Sequence, residues 1–139
     1  MKKLNEKYSD DVQFFIVYTR EAHAIDSDRP TGRTQVEQPI STEERRKVAD
    51  DFLKNMKLKE VPALLDDIKD TAAKAYASLP DRLYLIGKDG KIAYAGDRGP
   101  RGFKPSELEN AIVAELEDNY FKELSGPAKK PAKASDKKK

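Results

Sequence analysis

At 139 residues, with 37% apolar and 37% charged side chains, the chain has the length of one domain, a modest core and a strongly ionic surface. No apolar run approaches the roughly 18 residues of a membrane span, and residues 1–11 lack the apolar stretch of a signal peptide, so the cytoplasm is the expected location. The chain has no cysteine, which excludes disulfides, iron–sulfur clusters and thiol catalysis by these residues; with one histidine, no zinc site and no cofactor are expected.

The formal net charge of +2 is unevenly placed. Six of the 27 basic and one of the 25 acidic side chains fall in residues 126–139, so that segment carries +5 and the rest −3. The segment GPAKKPAKASDKKK has nothing to bury and is expected to be a disordered tail on a domain of residues 1–125. Its lysines come without interleaved aromatics, so nucleic acid is not an expected partner. No membrane partner is expected either.

In chain order, residues 2–9 read as two turns of helix, because Leu4 and Tyr8 are four apart and share a face. Asp10 and Asp11 turn the chain into the apolar run FFIVY within residues 12–18, which reads as a buried strand. A polar turn follows, carrying Arg20, Glu21 and His23, the single histidine. In open α/β sheets ligands sit beyond the carboxyl ends of strands, which is where this turn lies. Residues 24–40 form a long connection broken by Pro30, Gly32 and Pro39. Ser41 and Glu44 then make a capping box, opening a helix over residues 42–56 with Val48, Phe52 and Met56 on one stripe.

Residues 61–65 read as a short strand, with Pro62 at its start. A short helix over residues 68–79 presents Ile68, Ala72, Ala75 and Tyr76 inward. A strand over 82–86 follows, and the turn at Asp89-Gly90 returns an antiparallel strand over 91–95. After the glycine-rich loop 96–102, Pro105 opens a final amphipathic helix reaching about residue 124. The expected core includes Phe15, Val17, Leu64, Leu83, Leu85, Leu108, Ile112 and Leu116. The fold class is α/β, with a mixed sheet.

Three stretches go beyond a generic α/β pattern: VYTREAHAIDS at 17–27, STEERRKVADDF at 41–52, and AYASLPDRLYLIGKDGKIAYAGDRGPRGFKPSEL at 75–108. In that order they closely resemble the iodothyronine deiodinase family, a branch of the thioredoxin-fold redoxins. The resemblance implies a thioredoxin-like sandwich and an oxidoreductase that removes iodine reductively from aromatic substrates with a selenocysteine or cysteine. The family's nucleophile follows the first core strand, and the corresponding segment is absent here. The resemblance therefore implies an N-terminally truncated fold, arising from start-site choice or from loss in a relic.

On this reading the cysteine-free chain is inactive by itself. The expected partners are a small substrate (a halogenated aromatic or a peroxide) and a thiol reductant, for a full-length form. Self-association through an exposed sheet edge is also expected. The competing reading is a non-catalytic binding or interaction protein on the same scaffold.

Four residues are candidates for the site: the resemblance points to His23 and Arg98, and position at the end of the first strand points to Glu21 and Tyr18. The resemblance gives His23 a role in substrate binding or proton transfer, the second of which suits an imidazole titrating near 6.5 in water; the bland alternative is a surface loop histidine, or one that ties the loop with a hydrogen bond. Glu21 would orient it, or be a solvated turn carboxylate. Tyr18 would place its hydroxyl in the pocket, or be a core aromatic. Arg98, in the glycine-rich loop, would bind a substrate carboxylate, or be a charge on a hairpin exit. Arg82 reads as structural, paired with Asp81 or Glu21. Strand direction alone puts Arg98 at the opposite end of the sheet from His23, whereas the resemblance puts them in one cleft. Animal deiodinases carry a second histidine before the capping box where Pro39 stands here, so the resemblance stops short of thyroid-hormone specificity.

Overall fold

The computed structural model describes residues 1–31 and 35–125, the side chains of 124 and 125 apart. The expected tail at 126–139 lies outside the described residues. The elements run α1 (Lys2–Tyr8), β1 (Ile16–Tyr18), α2 (Thr42–Asn55), β2 (Ala63–Leu65), α3 (Thr71–Ala75), β3 (Tyr84–Ile86), β4 (Ile92–Ala95) and α4 (Pro105–Ser125). This is a mixed α/β arrangement with every expected element present, most of them shorter than anticipated.

The strands form two separate ladders in place of the single mixed sheet expected. β1 pairs in parallel with β2, matching Val17 to Leu64, and β3 pairs antiparallel with β4. The hairpin behaves as its turn chemistry requires: Gly90 takes φ +79° and its N–H bonds the Gly87 carbonyl at 2.9 Å. A register shift between Leu85 and Ile86 adds a bulge. The two ladders share one apolar core. Phe14 and Val61 from the first side meet Leu83 and Leu85 from the second, and Leu4, Tyr8, Leu108 and Ile112 of α1 and α4 close over them.

Strand register corrects part of the expected core. Phe14 and Tyr18 are buried and Ile16 half-buried, so the even-numbered positions face inward. Phe15 and Val17 point the other way and are 54% and 48% exposed, and their ladder neighbour Leu64 is 52% exposed. The run FFIVY offers apolar residues at both parities, so its composition does not say which parity meets the helices. Leu83, Leu85, Leu108 and Ile112 are buried as expected, with Leu116 packed against them.

The helices are rotated from their expected stripes as well. In α2, Ser41 accepts the Glu44 N–H, while the Glu44 carboxylate accepts from the Ile40 N–H, one residue before the usual box partner. Its buried residues are Arg45 and Ala49; Phe52 and Met56 are exposed. α3 buries Ala73 and leaves Ala75 and Tyr76 outside, because it spans only five residues and begins at Thr71.

Candidate active site

β1 ends at Tyr18, and the next five residues carry most of the polar groups singled out in the sequence. Tyr18 is buried with its ring 5.7 Å from that of Phe52, and its hydroxyl donates to the Glu21 carboxylate. Glu21 is half-buried; burial raises its pKa above the ordinary carboxylate value, and the nearby His23 opposes that rise. The His23 Nδ1 lies 2.9 Å from the Arg29 carbonyl. A carbonyl only accepts, so Nδ1 carries the proton of that bond and Nε2 is left as the ring nitrogen free for a ligand. The loop holding Arg29 folds back on itself through Ile25 N–H to Val36 O at 3.0 Å and Gln38 N–H to the Asp26 carboxylate at 2.8 Å.

Beside this cluster lies a second one that the sequence analysis left unassigned. The Arg45 guanidinium, on a residue only 1% exposed, donates to the carbonyl of Asp67 and to the Asp70 carboxylate at 2.9 Å. The other Asp70 oxygen is 3.7 Å from Arg20. Asp70 sits at φ +57°, a left-handed conformation that aspartate tolerates better than most side chains. Asp66, also buried, accepts the Asp67, Ala72 and Ala73 N–H groups at 2.9 Å each, and so caps α3. Asp67 accepts from the Thr71 N–H and hydroxyl, which hold its carboxyl below its ordinary pKa. The signal for Arg45 was present in the sequence. It stands three and four residues before Val48 and Ala49, on the apolar side of α2, where a charge needs a buried partner.

Arg98 faces a cleft of about 290 Å³ lined by Arg20, Asp70, Ala73, Lys74, Ala77 and Leu79. Tyr18, Glu21 and His23 do not line it; Arg20, in the same turn as those three, does. Strand direction had separated Arg98 from the carboxyl end of β1. The separation is small because β1 has three residues and α3 five, and a five-residue helix is only roughly 7.5 Å long. The loop is drawn back by Gly96 N–H to Leu83 O and Gly99 N–H to Asp81 O, both 2.9 Å. Arg82 pairs with neither Asp81 nor Glu21. It donates to the carbonyls of Gly96 at 2.6 Å and Tyr76 at 3.2 Å and stacks 5.1 Å from the Tyr84 ring, which is a structural role. Among the described residues no three His, Cys, Asp or Glu side chains converge as a metal site.

The profile of the iodothyronine deiodinase family matches residues 1–116. The chain belongs to the iodothyronine deiodinase family. Among its relatives, the type I iodothyronine deiodinase of Xenopus laevis is 32% identical over 106 residues, covering 76% of this chain and 41% of the relative. The thyroxine 5-deiodinases of Ovis aries and Sus scrofa are each 32% identical over 130 residues, covering 91% of this chain and 41% and 39% of theirs. The chain thus spans about two-fifths of the length of these deiodinases. The matched region includes the Tyr18–Glu21–His23 turn, the Arg45–Asp70 pair and the Arg98 loop.

Proposed function

We propose that these residues form the substrate-binding and proton-handling part of a deiodinase-family oxidoreductase on a thioredoxin-like scaffold, working in the cytoplasm. The substrate class is a small halogenated aromatic. The nucleophile, a thiolate or selenolate, comes from outside the 139 residues, which contain no cysteine. The observation that carries this reading is the cluster at the end of β1, where a half-buried carboxyl, a tyrosine hydroxyl and a tautomerically fixed imidazole share one turn.

The chemistry asked of that cluster is a proton transfer. When a thiolate takes the halogen from an aryl halide, the carbon–halogen bond breaks, a sulfur–halogen bond forms, and the ring carbon must receive a proton. In its doubly protonated form His23 can deliver that proton from Nε2 while the Nδ1–H stays bonded to the Arg29 carbonyl, and the ring is left as the neutral Nδ1–H tautomer. Glu21 lies close enough to act on the His23 charge, and Tyr18 fixes its carboxyl. Glu21 and Tyr18 are positioning residues here. Arg98 supplies a cation for the substrate's carboxylate in the adjoining cleft.

A second reading, a non-catalytic binding protein on the same scaffold, is favoured by one observation: the complete lack of cysteine. Both readings require ligand binding, and they separate on chemistry. The isolated chain with dithiothreitol is expected to leave 3-iodophenylpropionate intact while binding it. Binding should shift the His23 ring resonances in NMR spectra, and Arg98→Gln should weaken it. Addition of a peptide thiol or selenol should then yield iodide in the wild type and much less in His23→Gln. Iodide release that is indifferent to His23, or ligand binding that leaves its ring resonances unmoved, would refute the proposed role.

A further inference from the structure

We infer that the cleft between Arg20, Lys74 and Arg98 selects small organic anions of net charge −2 over zwitterionic amino acids of the same size. This deepens the reading above, in which Arg98 meets the substrate, and rests on it only for the identity of the cleft.

The argument is a charge count at close quarters. The lining holds three cationic side chains and one carboxylate, Asp70. That carboxylate is already matched from behind, because the buried Arg45 guanidinium bonds it at 2.9 Å. The pair is neutral as a unit, so Arg20, Lys74 and Arg98 leave the cleft with a net positive charge, Arg20 sharing Asp70 with Arg45 through a longer ion pair. Arg20 approaches Asp70 only to 3.7 Å, beyond hydrogen-bond distance, and its side chain is 44% exposed. Among the described residues the Arg98 side chain has no hydrogen bond or ion pair. Lys74 donates to the Lys69 carbonyl, which keeps the ammonium at the cleft without neutralising it.

An α-amino acid brings a carboxylate and an ammonium a few bonds apart. In this cleft its ammonium meets three like charges, and the one carboxylate that could receive it is held by Arg45. A ligand with two anionic groups meets three cations, and the one carboxylate of the lining is already bonded by Arg45. Guanidinium groups give directional bonds to carboxylate or phosphate oxygens, so Arg20 and Arg98 set orientation as well as attraction. Ala73, Ala77 and Leu79 add an apolar wall for the ligand's body. At about 290 Å³ the cleft is at the small end of ligand sites, which suits one aromatic ring.

The test uses three single-ring probes at one ionic strength and pH 7.5: phenylsuccinate, 3-phenylpropionate and phenylalanine, titrated into the whole chain by calorimetry. Phenylsuccinate is expected to bind at least about fivefold more tightly than 3-phenylpropionate, with phenylalanine the weakest. Arg20→Gln, Lys74→Gln and Arg98→Gln should each weaken phenylsuccinate about three- to tenfold and narrow the gap between probes. Lys59→Gln, an exposed change outside the cleft, should leave affinities within about 1.5-fold. Arg98→Lys should keep the charge preference, and it carries the Arg98 arm if Arg98→Gln does not fold by circular dichroism. Equal affinity for the three probes, no saturable phenylsuccinate binding, or an unchanged triple Gln variant would overturn the inference. Arg98-dependent binding of 3-phenylpropionate without dianion preference would overturn it while leaving the proposed function standing.

Discussion

The buried Arg45–Asp70 pair offers the sharpest test of how this structure is held together. Arg45→Met removes a guanidinium that is 1% exposed, keeps most of the aliphatic volume, and leaves Asp70 with Arg20 at 3.7 Å as its nearest cation. Breaking a buried ion pair by deleting one partner typically costs about 3–5 kcal/mol. Asp70 has a partly exposed side chain and keeps Arg20 nearby, so the lower end applies and a loss of about 3 kcal/mol is expected. Asp70→Asn is milder, at about 2 kcal/mol, because the amide oxygen can still accept from Arg45 and the carbonyl of Asp67 still holds the guanidinium. The double variant should lose about 3 kcal/mol, close to Arg45→Met alone, since the second change then removes a charge that has already lost its buried partner. Urea unfolding of the four proteins measures all of this. Two results would refute the reasoning: a loss under about 1 kcal/mol for Arg45→Met, or additivity of the two changes within about 0.5 kcal/mol.

Glu21 gives a pH signature opposite to that of most surface carboxylates here. Its folded-state pKa is raised, so its contribution to stability is full below the unfolded pKa and is lost as pH rises through the folded value. Asp67 and Glu109 have lowered folded-state pKa values, so theirs is present above the unfolded pKa and lost as pH falls through the folded value. Glu21→Gln should therefore flatten the decline of stability on the alkaline side of the ordinary carboxylate range and leave the acid limb intact; an unchanged pH profile would contradict the burial of Glu21. In the glycine-rich loop, a Cβ at Gly102 would lie 2.3 Å from backbone of Asp97, whereas one at Gly90 meets nothing within 4 Å but needs φ +79°. Thermal unfolding should rank Gly102→Ala well below Gly90→Ala, with losses of about 3 and about 1 kcal/mol. Finally, Phe15, Val17 and Leu64 form an exposed apolar patch on a two-stranded ladder whose outer edge is open. Sedimentation should show concentration-dependent association that Phe15→Lys with Val17→Lys abolishes; a monomer at all concentrations would show that the patch is inert.

Much of the architecture is decided by local chemistry and was therefore legible in the residues themselves. Ser41 caps α2, Pro105 starts α4, Gly90 turns the hairpin and the Leu4–Tyr8 spacing sets α1, because each depends on backbone geometry within a few residues. The family resemblance was legible too, through motifs around the turn after β1 and the loop after β4. The turn itself placed Tyr18, Glu21 and His23 together because they are neighbours in the chain. What the chain order could not decide is anything that depends on which face meets which. A strand apolar at both parities can bury Phe15 and Val17 or Phe14 and Tyr18, and only packing selects the second pair, Phe14 in the core with α1 and α4 and Tyr18 against Phe52 of α2. Arg45 and Asp70 are 25 residues apart, and their pairing, like the meeting of Arg20 with Arg98 across α3, exists only once two ladders and a five-residue helix have been packed. Sequence spacing carries local geometry; burial and long-range electrostatics arise from packing, because the free energy of a charge depends on what surrounds it rather than on what precedes it.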